Sequence, residues 1–396
     1  MGEIPNDHPH ERDDGRRPPR LWGNARTFGD KPTGGVIVQR LGRMSSPEGE
    51  TRCQYQPKAL LLVAHGSKKA SASNELASLT EKVRRQLPGV EVEAGWLELA
   101  RPTVADALGR LAGRGHSSVV AVPLMLVHGH HTTLDIPAEL EAACARLGVE
   151  VLYTKCLGSR TEVLELLAAR AESAIALVWS ENLAGGPEES LRNSPDTGSL
   201  SATANSAEPR SQAEDLRGGT APPRGKAGTR ADSHSAKTGT ATLSGNKMAT
   251  EVAEDLRRQW CVLLVGRGTT LREANAEVAG LARMLYEAYG FGAVEYCFTS
   301  LAPPTVEEGI ERCVKLGHSH IVILPHYLFT GRLLDRVHES VHRARSLLPK
   351  YTLVVAEHLG PDPTLASAIS ELFCEARREA MQFLAQGDGL PRYRGN

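Results

Sequence analysis

The chain has 396 residues, a formal net charge of −1 and 23% charged residues, enough length for two ordinary cores. The near-neutral balance, without a long Lys/Arg run, argues against a nucleic-acid partner. No window approaches the roughly 18 consecutive apolar residues of a membrane helix.

Seven cysteines, at 53, 144, 156, 261, 297, 313 and 374, form no C-x-x-C, which argues against a disulfide framework or a Cys-rich cluster. The N-terminal stretch matches neither a secretory signal nor an acid-poor transit peptide. Together these predict a cytoplasmic protein.

In chain order, residues 1–56 carry too few large apolar side chains to offset the entropy of ordering them and read as a disordered tail. ALLLVAHG, from Ala59, reads as a buried strand running into a glycine turn. Residues 72–87 place Leu76, Leu79, Val83 and Leu87 on one helical face. VEVEAGWLEL is a second strand and PTVADALGRLAGRG a helix closed by glycine. SVVAVPLML is a third strand, and DIPAELEAACARLG a helix with Asp135 placed to cap it. VEVLYTKCLG and TEVLELLAARAESA complete the segment as a strand and a helix. Residues 181–256 read as a disordered linker, and 181–250 contain no Val, Ile, Phe, Tyr, Trp or Cys.

Beyond the linker the pattern repeats. VAHGS at 63–67 aligns with VGRGT at 265–269, a shift of 265 − 63 = 202, and the same shift carries LARPTV onto LAPPTV and GHSSVV onto GHSHIV. Glu75 then meets Glu277, and Pro123 meets Pro325. The expected organisation is therefore two copies of one α/β domain, 57–180 and 257–385, followed by a short tail at 386–396. Apolar strands alternating with helices predict Rossmann-like parallel sheets covered on both faces, with the ligand crevice beyond the strands' carboxyl ends.

Three polar residues fall at those ends in the first copy: His65, Glu98 and His131. Two imidazoles and a carboxylate suit a divalent metal such as cobalt, iron, nickel or zinc, and a carboxylate also accepts protons. Each alone is a weak signal, because a His can shape a turn and a strand-end Glu usually faces water. The repeat supplies a control: His65 meets Arg267, Glu98 meets Ser300 and His131 meets Leu333, while glycines, prolines and core residues match. The scaffold occurs twice and the polar set once, which points to chemistry in the first half and a cleft-completing role for the second.

VAHGS, WLELARPT and PLMLVHGHHTTLDIP, in that order, resemble the cobalt and iron chelatases that act on sirohydrochlorin, in their long, two-domain form. The resemblance spans about 250 residues and omits tail and linker. It implies two chelatase-fold domains and a site in which His65 and His131 bind metal with Glu98. His131 is preferred to His130 because it stands four residues before Asp135, with His128 and His130 as extra histidines. The implied reaction inserts Co²⁺ or Fe²⁺, with Ni²⁺ also compatible, into a tetrapyrrole for cobalamin or sirohaem synthesis. The carboxylate-rich substrate makes Lys68, Lys69, Arg101 and Arg332 candidate contacts. Some long-form members carry a Cys-rich C-terminal tail; here that region offers Cys374, so no iron–sulfur cluster is expected.

Neither nucleotide fingerprint, G-x-G-x-x-G or G-x-x-x-x-G-K-[ST], follows a strand, so no nucleotide is expected. Fused copies predict a monomer with two-fold pseudo-symmetry. Competing readings are a non-catalytic metal or tetrapyrrole carrier and a ferrochelatase for a less carboxylated tetrapyrrole. The 5% aromatic content weighs against the latter.

Overall fold

In a computed structural model the protein is described over residues 39–41, 57–184 and 254–386. The expectations for the rest of the N-terminal stretch, most of the linker and residues 387–396 lie outside the described residues.

The first half begins at β2 (Ala59–Ala64), whose six residues are all buried. It continues through α1 (Ala70–Gln86), β3 (Glu91–Trp96), α2 (Val104–Gly113), β4 (Ser118–Pro123), a π-helical turn (His131–Asp135), α3 (Ile136–Leu147), β5 (Glu150–Tyr153) and α4 (Thr161–Ala184). The second half runs β6 (Cys261–Gly266), α5 (Arg272–Tyr289), β7 (Ala293–Phe298), α6 (Val306–Lys315), β8 (His320–Pro325), α7 (Arg332–Leu347), β9 (Thr352–Val355) and α8 (Pro363–Gln386). The strand orders β3-β2-β4-β5 and β7-β6-β8-β9 coincide, and every pairing among those strands is parallel.

The 202-residue shift holds to the residue. It carries β2, β3, α2, β4 and β5 onto β6, β7, α6, β8 and β9 without adjustment. Both halves open α2 or α6 with a capping box, Thr103 with Asp106 and Thr305 with Glu308, in which side chain and backbone satisfy each other's orphan donors. Cis peptide bonds recur at Arg101–Pro102 and Pro303–Pro304.

Two expectations are corrected. Gln39–Leu41, inside the stretch read as tail, forms an antiparallel edge strand, β1, on β5. Leu41 is buried there and Arg40 pairs with Glu150 at 2.9 Å, so a three-residue segment gains from the sheet what its own composition lacks. The helix of α4 also continues four residues into the stretch read as linker, to Ala184.

The sheets do not form independent bodies. The described residues up to 176 and from 256 onward cluster as one compact unit; the other unit, 177–255, is described only at its helical ends. Within the first unit the last helix of one half packs on the other half. Helix α8 lies against α1 and β4. Gln86 Nε2 donates to Pro363 O at 3.3 Å and Ser367 Oγ at 3.2 Å, and Ser370 Oγ donates to Gln86 Oε1 at 3.2 Å. In return Arg170 of α4 donates to the carbonyls of His358 and Leu359 and to Asp362. Among the described residues no helix is long and apolar enough to cross a membrane.

Candidate active site

The site is assembled at the carboxyl ends of β2, β3 and β4, where three loops leave the sheet side by side. His65 follows β2 directly. Its carbonyl accepts the Glu98 N–H at 3.0 Å, which ties the two loops together. Gly66 makes this approach possible: its φ is +142°, and a Cβ there would stand 2.2 Å from the Glu98 carbonyl oxygen. Glu98 lies two residues beyond β3 and opens a tight turn. Ala100 N–H donates back to Glu98 O at 2.8 Å, with Leu99 forced to φ +65°. Such three-residue turns are strained, and strain of this kind concentrates where a side chain must be aimed.

The third loop holds HGHHTT. Thr132 Oγ1 lies 2.9 Å from both the N and the O of Gly129, Thr133 Oγ1 donates to Gly129 O at 3.0 Å, and Tyr153 Oη donates to Thr132 O at 2.9 Å. This stapling sets His131 at the start of the π-helical turn. Pro137 explains the widened turn: without an N–H it cannot bond the carbonyl of Thr133, and its ring crowds that carbonyl. At the same register in the second half, α7 runs as a regular helix through Glu339. Asp135 therefore does not cap α3 as expected. The helical path starts upstream of it, its backbone is helical, and its Oδ2 instead lies 2.8 Å from His131 Nδ1, in ion-pair range without hydrogen-bond alignment.

His65, Glu98 and His131 come together. The imidazoles of His65 and His131 meet edge to face with centroids 4.2 Å apart, and His65 Nδ1 stands 3.3 Å from Glu98 Oε1. His65 Nε2 is buried with no hydrogen-bond partner among the described residues. Burial pushes the His65 pKa down to about 4, with help from the charges of His131 and Arg267. The ring is thus neutral at physiological pH, with a lone pair available to a metal. Each imidazole of the pair leans on one carboxylate, Glu98 or Asp135. Among the described residues no three His, Cys, Asp or Glu side chains form a closed metal cage.

Lys69 Nζ is 2.6 Å from Asp335 Oδ1 and Arg101 Nη1 is 3.2 Å from Asp106 Oδ2. Lys68 and Arg332 are exposed. His128 turns to the second half: its Nδ1 lies 2.9 Å from Glu277 Oε1, and Cys156 and Glu277 raise its pKa to about 10. Sequence reasoning missed Asp135 as the partner of His131, although their spacing of four residues was a usable signal.

The CbiX family model matches residues 59–174 and again 261–376, which reproduces the shift, 261 − 59 = 202. A sirohydrochlorin cobaltochelatase of Priestia megaterium is 24% identical over 315 residues, covering 79% of this chain and 78% of that protein. A sirohydrochlorin ferrochelatase of the same organism is 22% identical over 313 residues, covering 79% and 88%. Among solved structures, SirB from Bacillus subtilis with Fe³⁺ shares the fold at a TM-score of 0.54 and 20% identity, covering 83% of this chain and 97% of that one.

Proposed function

The chain belongs to the CbiX family, and from that premise we propose that it is a sirohydrochlorin chelatase, a lyase-type enzyme that inserts Co²⁺ or Fe²⁺ into the tetrapyrrole for cobalamin or sirohaem synthesis. The observation that carries the reading is the His65–His131 pair: two imidazoles 4.2 Å apart at adjacent strand ends, present in one repeat and replaced by Arg267 and Leu333 in the other. Relatives named for cobalt and for iron chelation align over the same share of the chain, so both metals stand as substrates.

Insertion exchanges M²⁺ for the two pyrrole N–H protons of the macrocycle, which leave as 2 H⁺. In this reading His65 and His131 hold the incoming ion, His65 through its free Nε2. Imidazole and carboxylate donors accept both metals, so availability selects between them. Glu98, beside His65 Nδ1 and about half exposed at 49%, either completes the ion's coordination or takes a departing proton to solvent. The second half supplies the facing wall. Ser67 Oγ donates to Thr330 O at 3.5 Å, Ser71 Oγ meets Thr330 Oγ1 at 2.7 Å, and the Trp96 and Phe329 rings lie 6.1 Å apart. We further read the protein as a cytoplasmic monomer whose halves are related by a pseudo-two-fold. Support for the monomer comes from contacts that recur in reciprocal form across the two halves.

The test is anaerobic insertion of Co²⁺ and, separately, Fe²⁺ into sirohydrochlorin, followed by visible absorbance. Wild type is expected to accelerate at least one insertion, and His65→Ala and His131→Ala to abolish it. Binding of the tetrapyrrole without acceleration by wild type overturns the enzyme reading in favour of a carrier.

A further inference from the structure

The second half keeps the strand-end machinery of the first although it has lost the metal-binding set. Ser300 N–H donates to Arg267 O at 3.0 Å as Glu98 N–H does to His65 O, and Gly268, at φ +79°, lets the loops approach where a Cβ would sit 1.9 Å from the Ser300 carbonyl. The strained turn is kept too: Ala302 N–H bonds Ser300 O at 2.7 Å around Leu301 at φ +59°. Strain retained without a carboxylate to aim calls for another occupant of the loop.

That loop is held more tightly than its twin. The Arg267 carbonyl accepts Ser300 N–H and Ser300 Oγ, both at 3.0 Å, and Thr299 Oγ1 at 3.2 Å. Thr299 Oγ1 is in turn 2.5 Å from Tyr327 Oη, so with its proton on the Arg267 carbonyl it accepts the Tyr327 hydroxyl, which also lies 3.2 Å from Gly266 O. The main chain of Arg267 is therefore fixed, while its guanidinium is exposed and has no hydrogen-bond or ion-pair partner among the described residues. Lys69 and Arg101 are instead paired, with Asp335 and Asp106, whereas Lys68 and Arg332 are exposed like Arg267.

Two substitutions in the repeat act together. In the first half Glu98 stands beside His65; at the matching place in the second half Ser300 stands beside Arg267. A glutamate introduced at 300 would put a carboxylate on the loop that is bonded to the Arg267 main chain. Arg267 leaves β6 beside β8, whose following loop carries Thr330. The Ser67–Thr330 and Tyr327–Gly266 contacts link the two strand ends in space.

We propose that Arg267 is the substrate-anchoring residue of the cleft, forming a charge-assisted, bidentate hydrogen bond to a peripheral carboxylate of the tetrapyrrole and so holding the macrocycle over the His65–His131 pair. The assignment rests on the chelatase reading for the identity of the ligand. It gives the second half a binding role in the cleft.

The experiment uses the full chain and measures two quantities: the Kd for metal-free sirohydrochlorin by absorbance titration, and the separate KM values for tetrapyrrole and metal. Arg267→Ala and Ser300→Glu are expected to raise the tetrapyrrole Kd and KM about 10- to 100-fold, as loss of a hydrogen bond between charged groups implies, with the metal KM unmoved. Arg267→Lys falls between, because an ammonium keeps the charge and loses the fork. With the fully methyl-esterified tetrapyrrole, wild type and variants bind alike. A Kd within twofold of wild type for Arg267→Ala, or an undiminished difference on the ester, overturns the anchor. Wild-type binding without turnover, with the Arg267 effect on Kd intact, overturns the chelatase reading and leaves the anchor standing.

Discussion

Glu75 in α1 accepts the backbone N–H of Thr330 at 2.8 Å, a bond that crosses from the first half to the second. Its counterpart crosses in the opposite direction: Glu277 in α5 accepts the backbone N–H of His128 at 3.0 Å, and Thr330 is the residue that the 202 shift places on His128. Each glutamate fixes a loop after the third strand of the opposite half, so the first helices of both halves hold the cleft loops in place. Glu75 also takes Thr330 Oγ1 at 3.3 Å and His358 Nε2 at 3.2 Å.

Glu75→Ala strands these donors in a partly buried contact and is expected to cost about 1.5–3 kcal/mol, the range for hydrogen bonds to a charged group. Glu277→Ala should cost less, because its carboxylate is 36% exposed against 16% for Glu75 and solvent screens it more. Equilibrium urea unfolding of both variants checks the order. A larger loss for Glu277→Ala would contradict it.

Gly66 and Gly109 make opposite predictions for the same substitution. Ala at 66 must place a Cβ 2.2 Å from the Glu98 carbonyl at φ +142°, so Gly66→Ala should destabilise by about 2–4 kcal/mol and separate His65 from Glu98. Gly109 lies inside α2 with nothing within 4 Å of the added methyl, so Gly109→Ala should stabilise by about 0.5–1 kcal/mol. Thermal unfolding and Co²⁺ titration of the two proteins measure both effects.

Most of this scaffold could be read from residue order because its signals are local and occur twice. ALLLVA is apolar on both faces and is a central strand; Leu76, Leu79 and Val83 recur at helical spacing and are buried in α1. His65 and His131 could be placed at strand ends for the same reason. Features set by contacts distant in sequence were not legible. β1 borrows its order from β5, and the exchange of α4 and α8 leaves no periodicity of its own. Asp135 fits the helix-capping pattern, and nothing local reveals that Pro137 displaces the helix start. Arg267 reads as a lost histidine until Ser300 and Thr299 are seen clamping its carbonyl.

The lowered pKa of His65 fixes a pH window. With the folded value about 4 and an ordinary value near 6.5, the unfolded chain takes up a proton between those limits that the folded chain refuses. This contribution to stability is full above pH ~6.5 and is lost as pH falls towards ~4, with a slope of at most ~1.4 kcal/mol per pH unit. The expected NMR signature is a His65 imidazole still neutral at pH ~5.5. Burial is the largest cause, ahead of the charges of His131 and Arg267, so His131→Ala should raise the value only part of the way. A His65 titrating near 6.5 in the folded protein would remove the basis for a neutral ligand held ready in acid.

His131 depends on two supports that act through one geometry. Asp135 Oδ2 sits 2.8 Å from His131 Nδ1, and the π-helical turn brings these residues together because Pro137 withholds the N–H that a regular turn would use. A carboxylate behind a metal-binding imidazole fixes its orientation and raises its basicity, and losing one typically costs about 10–100-fold in metal affinity. Because Asp135 meets His131 in ion-pair range without hydrogen-bond alignment, Asp135→Ala is expected to weaken Co²⁺ binding by about 10-fold, the low end of that range. Pro137→Ala, which restores the missing donor, should let the turn tighten towards the regular helix of α7 and weaken binding in the same direction. Because both changes work by misplacing the same ring, the double variant should lose much less than the product of the two single losses. Strictly multiplicative losses would mean that the turn and the carboxylate act independently. An unaltered isotherm for Asp135→Ala would mean that the stapled Gly129–Thr132–Thr133 loop alone holds His131 against His65.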